Sequence, residues 1–462
     1  MNEDTICAIA TAPGGAIGLI RVSGPQAISI TDKIFTPSEN SSTPLARRSA
    51  YTLTFGHIRS ETGDIVDEVL VSLFRSPHSY TGEDSTEISC HGSPYILNRV
   101  MQLLIDNGCR AARAGEYTQR AFLNGKMDLS QAEAVADLIA STSEAQHRLA
   151  MNQMRGAFSH ELSLLRNQLL HLTSLMELEL DFSDHEELEF ADRSELQAIA
   201  SQIETLIARL TNSFSTGNAL KNGIAVAIIG ETNAGKSTLL NALVGEERAI
   251  VSDIHGTTRD VIEDTINLGG ATFRFIDTAG IRNTTDTIET LGIERSFQAI
   301  RKADIVLWVI DRTEAEKQIA TLSDKVLPLC EGKTLILVLN KSDLTSRQLS
   351  IVNCQSPINK IVSLSAKHKE GIGKLQSLLI EAARLPHISQ ADVIVTNIRH
   401  YEALTRALEA IRRVQEGLST NLSGDLISQD LRECIFHLGD IVGEVTTDEV
   451  LGNIFKHFCI GK

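Results

Sequence analysis

The spacing of apolar residues divides the chain into three textures. Residues 1 to about 118 carry short alternating runs, such as Gly18-Leu-Ile-Arg-Val22 and Glu68-Val-Leu-Val-Ser-Leu-Phe74, separated by Gly- and Pro-containing turns. Alternation of that length predicts strands, here in an α+β domain. From about Asp128 the period lengthens: Leu129, Ala132, Val135, Ala136 and Ile139 recur every three or four residues, which predicts a helix. Ser130-Gln-Ala-Glu133 has the spacing of a capping box at its start. Helical texture continues to about Ser215, broken by an acidic stretch, Asp181–Asp192, that reads either as a solvated helix junction or as a cation site. The third texture, from about 217 to 384, alternates strand-sized apolar runs (Ile224–Ile229, Phe273–Ile276, Ile305–Ile310 and Leu335–Leu339) with helical segments. That alternation predicts a doubly wound, mainly parallel sheet. After Pro386 the helical period returns. The expected architecture is multidomain: an N-terminal α+β domain (1–118), an α-helical domain in two pieces (119–216 and 385–462), and an inserted α/β domain (217–384) whose flanking helices pack together.

Composition narrows the setting. The chain has 462 residues, 42% of them hydrophobic, and a net charge of -16, which argues against an open, sequence-blind nucleic-acid binder. A whole-chain sum does not exclude a local basic patch. The 7 cysteines are scattered without a C-x-x-C pair, which fits reduced thiols rather than zinc or disulfides. The acidic start, Met1-Asn-Glu-Asp-Thr5, does not resemble a signal peptide, and the longest apolar runs are too short to span a membrane. A soluble cytoplasmic protein with no membrane association is expected.

Chemistry concentrates in the third texture. Gly230-Glu-Thr-Asn-Ala-Gly-Lys-Ser237 follows an apolar strand and precedes the helical Thr238-Leu-Leu-Asn-Ala-Leu243, the context a phosphate-binding P-loop needs. Its glycines let backbone N–H groups turn inward around phosphate oxygens, and the helix N-terminus adds positive potential. Lys236 is suited to the β/γ-phosphates and Ser237 to Mg²⁺. Asp277-Thr278-Ala279-Gly280 closes the strand Phe273–Ile276, where a carboxylate can hold a Mg²⁺ shell through water and Gly280 can offer an N–H to the γ-phosphate. Asn340-Lys341-Ser342-Asp343 follows Leu335–Leu339. Asp343 presents an acceptor pair that matches the N1–H and exocyclic amine of guanine and has no match on adenine, a distinction worth orders of magnitude. Ser365-Ala366-Lys367 then follows Ile361–Leu364, placing the Ala366 N–H to meet the guanine carbonyl. The expected nucleotide contacts are therefore Asn233, Ala234, Gly235, Lys236, Ser237 and Thr238 of the first loop, the Asp277–Gly280 loop, and these last two segments.

Hydrolysis needs more than these loops. Ile281 stands where a Ras-like enzyme carries the water-orienting Gln, so an acid downstream (Asp286, Glu289 or Glu294) must serve. No arginine finger is evident, and that group is worth roughly 10³–10⁵ in rate. A monovalent cation could replace it, held by the Asn233 side-chain oxygen and by backbone carbonyls of Ala249–Asp260; Asn233 reads equally well as a turn residue. Thr257 or Thr258 is the expected switch threonine that closes on Mg²⁺, and Arg259 and Asp260 can pair to hold the switch.

The whole chain resembles the MnmE (TrmE) family of tRNA-modification GTPases. The resemblance rests on the loops above, on Gly256-Thr-Thr-Arg-Asp260, on the terminal Phe458-Cys-Ile-Gly-Lys462, and on Gly18-Leu-Ile-Arg-Val-Ser-Gly24, Tyr80-Thr-Gly-Glu-Asp84 and Arg120-Ala-Phe-Leu-Asn-Gly-Lys126. It implies a GTP hydrolase stimulated by K⁺, with Asn233, Ser252, Ile254 and Thr257 as K⁺ ligands and Ser237 and Thr258 as Mg²⁺ ligands. It extends the nucleotide site over Ser252, Asp253, Ile254, His255, Gly256, Thr257 and Thr258, and it makes Glu289 the catalytic acid/base. It also implies a folate one-carbon donor, 5-formyl-tetrahydrofolate or a relative, at Arg21, Glu87, Lys126 and Lys462. From the residues alone, these four read more simply as surface charges. The implied partners are a second copy of the chain, joined through the N-terminal domain, and the FAD protein MnmG (GidA) in a heterotetramer. Together they would add a carboxymethylaminomethyl or aminomethyl group to the wobble uridine of certain tRNAs. Cys459 would then be a nucleophile near that chemistry or a buried structural thiol; its superficial likeness to a prenylation site fails on Lys462. Departures from the common pattern, Thr232 and Ala114 at proline positions and Cys90 and Ser93 beside His91-Gly92, predict only local backbone effects. The competing readings are a ribosome-assembly GTPase, weakened by the absence of a basic GXXG clamp after Pro386, and a potassium-linked transport domain, weakened by the lack of membrane spans.

Overall fold

The computed structural model describes residues 4–12, 14–38, 43–181, 193–246, 264–276, 297–345, 358–383, 392–420, 422–444, 447–456, 458 and 461. The chain divides into two compact units: Met1–Ala136 with Gln153–Gln197 and Arg413–Lys462, and Asp137–Asn152 with Ala198–Arg412.

In the first unit, strands β1 (Thr5–Ile9), β2 (Ile17–Ser23), β3 (Phe35–Pro37), β4 (Thr52–Arg59), β5 (Ile65–Phe74), β6 (Ser85–His91) and β7 (Cys109–Ala111) form one sheet in the order β3-β4-β5-β6-β2-β1-β7. Neighbours are antiparallel except β1 and β7. One face is covered by α1 (Ala27–Ile34) and α2 (Pro94–Asp106): Ile20, Val22, Val71 and Ile88 pack with Ile30, Ile34, Val100 and Leu104. Strict alternation along β5, with Val69, Val71 and Leu73 inward, is what made this strand legible. Helix α3 (Glu116–Leu123) carries Arg120, whose guanidinium is buried against Asp4, Glu83 and Glu116 at 2.7, 3.1 and 3.1 Å.

Helix α4 (Leu129–Ala140) starts where the period predicted, but its cap differs from expectation. Asp128 Oδ1 accepts the Gln131 N–H at 2.9 Å, and Gln131 Oε1 accepts the Asp128 N–H at 3.0 Å. The capping box is thus Asp128-x-x-Gln131, while Ser130 and Glu133 lie buried inside the helix. Helices from either side of the inserted domain pack on one another within this unit: α6 (Ala157–Asp181) lies along α12 (Gly424–Val442), with ion pairs Arg432–Glu177 and Arg166–Glu444 at 3.2 Å. Helix α13 (Asp448–Phe455) sets Leu451 and Phe455 on Leu129 and Ala132.

In the second unit, α5 (Glu144–Met154) bonds to the end of α7 (Arg193–Asn222) through Gln146 Nε2 and the Lys221 carbonyl, at 2.9 Å. Helix α7 runs beyond Ser215, where helical texture was expected to stop, and passes α11 (Ile398–Ser419) with Phe214 and Tyr401 stacked at 4.4 Å. Gly217 sits inside α7 because the Val395 backbone approaches it too closely for any Cβ.

The second sheet contains β8 (Ile224–Ile229), β9 (Asp264–Leu268), β10 (Ala271–Ile276), β11 (Ile305–Asp311), β12 (Thr334–Asn340) and β13 (Ile358–Ser363), ordered β13-β12-β11-β8-β10-β9. All pairings are parallel except β9–β10. Val226, Leu307 and Val338 face one core, shared with α8 (Lys236–Glu246) and α10 (Ile372–Ala382); Ala227, Trp308 and Leu337 face another on the opposite side. Burial on both faces explains the continuous apolar runs seen in sequence. Helix α9 (Ala315–Val326) follows β11. The antiparallel β9 lies outside the expected strand set; Gly269 (φ 57) and Gly270 (φ 82) make the two-residue turn into β10, a conformation that suits glycine. No helix among the described residues is long and apolar enough to cross a membrane. Cys7, Cys90, Cys109, Cys330 and Cys434 are unbridged and buried.

Candidate functional site

The site lies at the C-terminal ends of β8, β11 and β12, the edge where open parallel sheets bind ligands. Past β8, Gly230 (φ 147) passes under the Val309 carbonyl, where a Cβ would collide. Asn233 is exposed in the left-handed region at φ 65, and Gly235 (φ 94) lies against the Asn340 amide with no room for a side chain. The chain then enters α8 at Lys236, whose ammonium donates to the Gly230 and Glu231 carbonyls at 2.7 and 2.8 Å. Burial lowers the Lys236 pKa, and Glu231 works against that shift. An ammonium so desolvated, beside a ring of turned backbone, suits a polyphosphate.

Asn340 is the hub of the site. It is 2% exposed; its Nδ2 donates to the Ala234 carbonyl at 2.9 Å and its Oδ1 accepts the Ala366 N–H at 3.0 Å. One buried amide therefore ties the phosphate loop to the Ser365-Ala366-Lys367 segment. Ala366, expected to offer its N–H to a guanine carbonyl, is buried here with that N–H on Asn340 Oδ1. Asp343 Oδ1 accepts from Ser365 Oγ at 2.6 Å, and His368 Nε2 lies 3.7 Å from Oδ2. The Ser365 hydroxyl is the main cause that lowers the Asp343 pKa, so the group stays a carboxylate acceptor at neutral pH. The Ser365–Glu370 backbone pair, bonded in both directions at 3.0 and 3.1 Å, holds this loop, and Gly371 (φ 78) starts α10.

Sequence reading missed Asp311. It ends β11 directly beside Asn340 and bonds the Lys341 ammonium at 2.6 Å. An acid at a strand end is too common to signal a role by itself; the register is what reveals it.

In the first unit, Arg21 and Glu87 face each other across β2 and β6, and Arg21 donates to Glu87 Oε1 from Nε and Nη2 at 2.9 and 2.7 Å. Their side chains are 17% and 23% exposed, so the pair is largely enclosed rather than a set of loose surface charges. The guanidinium lies 5.4 and 5.7 Å from the Tyr80 and Tyr117 ring centres, within cation–π range. It also donates to the Gly461 carbonyl at 3.4 Å. Tyr80 and Tyr117 were not singled out from sequence, although Tyr80 opens a motif that was. Lys126 is exposed and donates to the Pro77 carbonyl at 3.0 Å. The remaining sequence-derived positions, namely Ser252 to Thr258, Asp277 to Gly280, Ile281, Glu289, Cys459 and Lys462, lie outside the described residues, as does the acidic stretch after Asp181.

The doubly wound sheet, the glycine-turned loop ending in a half-buried lysine, and the Asn340–Asp343 loop tied to it and to Ser365 define a P-loop GTPase. The "MnmE helical domain" family matches residues 129–459, and "GTP-binding protein TrmE N-terminus" matches residues 5–126. The tRNA modification GTPase MnmE of Bacteroides fragilis (strain YCH46) is 67% identical over 468 residues, covering 100% of both chains. The protein of the same name from Phocaeicola vulgatus is 63% identical, covering 100% of this chain and 99% of its own, and that from Flavobacterium johnsoniae is 50% identical over 100% of both. The chain belongs to the MnmE family of GTP hydrolases.

Proposed function

We propose that this GTPase acts on tRNA, together with an MnmG-type FAD protein, to install an aminomethyl or carboxymethylaminomethyl group on the wobble uridine, using a folate as one-carbon donor. Supporting the donor site most directly is the enclosed Arg21–Glu87 pair with tyrosines on its guanidinium. A folate offers a flat pterin and glutamate carboxylates, and cation, carboxylate and aromatic groups recognise both. Lys126 and Lys462 would add charge for the carboxylates. When bound, the folate supplies the one-carbon unit. Self-association through the N-terminal unit, giving a homodimer within a heterotetramer, belongs to the same reading. Incubating the chain with its FAD partner, tRNA, GTP and a folate labelled in its one-carbon unit should transfer label to the wobble uridine; label retained on the folate contradicts the donor assignment.

For hydrolysis, Mg²⁺ would be held by Ser237 and Thr258, and K⁺ by Asn233, Ser252, Ile254 and Thr257. The left-handed backbone of Asn233 at the rim of the phosphate loop is compatible with its side-chain oxygen serving a cation there. Held by these residues, a K⁺ would supply positive charge to the phosphates, the service an arginine finger performs elsewhere. Replacing K⁺ by the smaller Na⁺ should slow GTP turnover by at least about tenfold, and equal rates in KCl and NaCl would remove the cation from the account. Glu289 would orient the attacking water in place of the Gln that Ile281 displaces. Glu289→Ala should lower turnover by about a hundredfold, the lower end for general acid/base catalysis, while fluorescent GDP binds as before.

A further inference from the structure

We infer that Asp311 is a positioning residue for guanine binding, acting through Lys341. The inference rests on the guanine-site reading above and extends it to a strand that carries none of the nucleotide motifs.

Asp311 and Asn340 are partners in the parallel β11–β12 register, so the two strands end side by side. The next residue, Lys341, takes a left-handed backbone at φ 62, which turns its side chain away from the path a strand would give it. Its ammonium returns to β11 and donates to Asp311 Oδ2 at 2.6 Å. The acid is itself fixed: Oδ1 accepts from the Thr313 N–H and hydroxyl at 3.0 and 2.7 Å, and the Asp311 N–H goes to Gln318 Oε1 at 3.0 Å. Burial alone would raise the Asp311 pKa; the Lys341 and Thr313 bonds outweigh it and keep the carboxylate charged. The side chains are only 16% and 31% exposed, so the pair is partly shielded from solvent and salt.

The lysine stem is thus held between an anchored backbone and an anchored carboxylate, two residues before Asp343. A base whose edge bonds to the Asp343 carboxylate needs an apolar surface beside its plane. Four methylenes held at both ends provide one, since long cationic side chains commonly cover apolar faces with their stems. Without the anchor, the stem would sample other rotamers and nucleotide binding would bear that ordering cost.

Asp311→Asn tests this. The amide oxygen still accepts from Thr313, so the turn after β11 is retained, while the charge that holds Lys341 is lost. Fluorescent GDP should dissociate about tenfold faster, the effect of losing one charge-assisted contact, with turnover at saturating GTP within about twofold of the parent. In a Lys341→Met background the same substitution should change nothing further, because the group Asp311 acts through is absent. A role confined to fold stability would lower the melting temperature and leave the loss intact in that background. Parent-like GDP dissociation in Asp311→Asn, alongside strongly weakened binding in Asp343→Asn, would overturn the role of Asp311 and leave the guanine site standing. Parent-like binding in both would overturn the guanine site as well.

Discussion

Asp343→Asn is expected to weaken GTP and GDP binding on the order of 10²–10³-fold. A base-recognition site that loses matched hydrogen bonds discriminates by such factors or more, and the position of Asp343 at the rim of the site sets the expectation below the enclosed limit. The substitution is close to isosteric, and its Oδ1 can still accept from Ser365 Oγ, now at 2.6 Å. The loop held by the Ser365–Glu370 pair should therefore keep its shape. The acceptor pair is what changes: one oxygen becomes an NH₂ that faces the exocyclic amine of guanine, donor against donor. The same NH₂ matches a carbonyl at that carbon, so xanthine nucleotides should bind the variant better than guanine nucleotides do. Titration of fluorescent GDP and XDP against both proteins reads the exchange. Unchanged GDP affinity would refute the assignment of Asp343 to the base edge.

Arg120→Ala is expected to destabilise the N-terminal unit by about 3–5 kcal/mol, the usual consequence of removing one partner from a buried charge cluster. Arg120 is 2% exposed and the acids around it, Asp4, Glu83 and Glu116, bond to it within 3.1 Å. Burial would raise the Glu116 pKa, but Arg110, the Arg113 N–H and Arg120 bring it down to about 2 from an ordinary 4.5. A carboxylate with a depressed folded-state pKa contributes stability that is present above about 4.5 and lost as pH falls toward 2. In both proteins the loss should begin near pH 4.5; in the parent it continues toward 2, whereas in Arg120→Ala the smaller remainder is exhausted at a higher pH. Denaturant unfolding followed by far-UV circular dichroism measures the loss. Fluorescence of Trp308, in the nucleotide-binding unit, serves as the internal reference. Parent-like midpoints in both signals would show that the cluster contributes no net stability.

Much of the architecture is legible in the amino-acid sequence. The parallel strands were legible because burial on both faces writes them as unbroken apolar runs, and the observed β8 matches the expected Ile224–Ile229 residue for residue. β9 was not legible, since an edge strand reading Asp264-Thr-Ile-Asn-Leu268 buries few side chains, and its Gly269-Gly270 turn is informative only once both strands are known. The α4 cap was misplaced by two residues because Asp128 and Ser130 both belong to the capping class; only the bonds to Gln131 decide between them.

At the nucleotide site, sequence found the loops but not how they are joined. The bond from the Ala366 N–H to Asn340 depends on the burial of Asn340, which could not be known from a motif. Arg21 and Glu87 were matched by resemblance alone; they stand 66 residues apart, and only the β2–β6 register makes them partners. Asp311 is the same kind of case, a residue whose meaning lies in its neighbour on the adjoining strand. Long-range pairing is what local periodicity leaves undetermined.

We propose that a guanine-nucleotide cycle in this chain drives wobble-uridine modification of tRNA. Nucleoside analysis of tRNA from a strain lacking the chain, and from the same strain carrying either the parent or Asp343→Asn, tests it most directly. The aminomethyl-type wobble nucleosides should be lost in the deletion, return with the parent, and stay absent with the variant. An unaltered wobble-nucleoside profile in the deletion strain would contradict it.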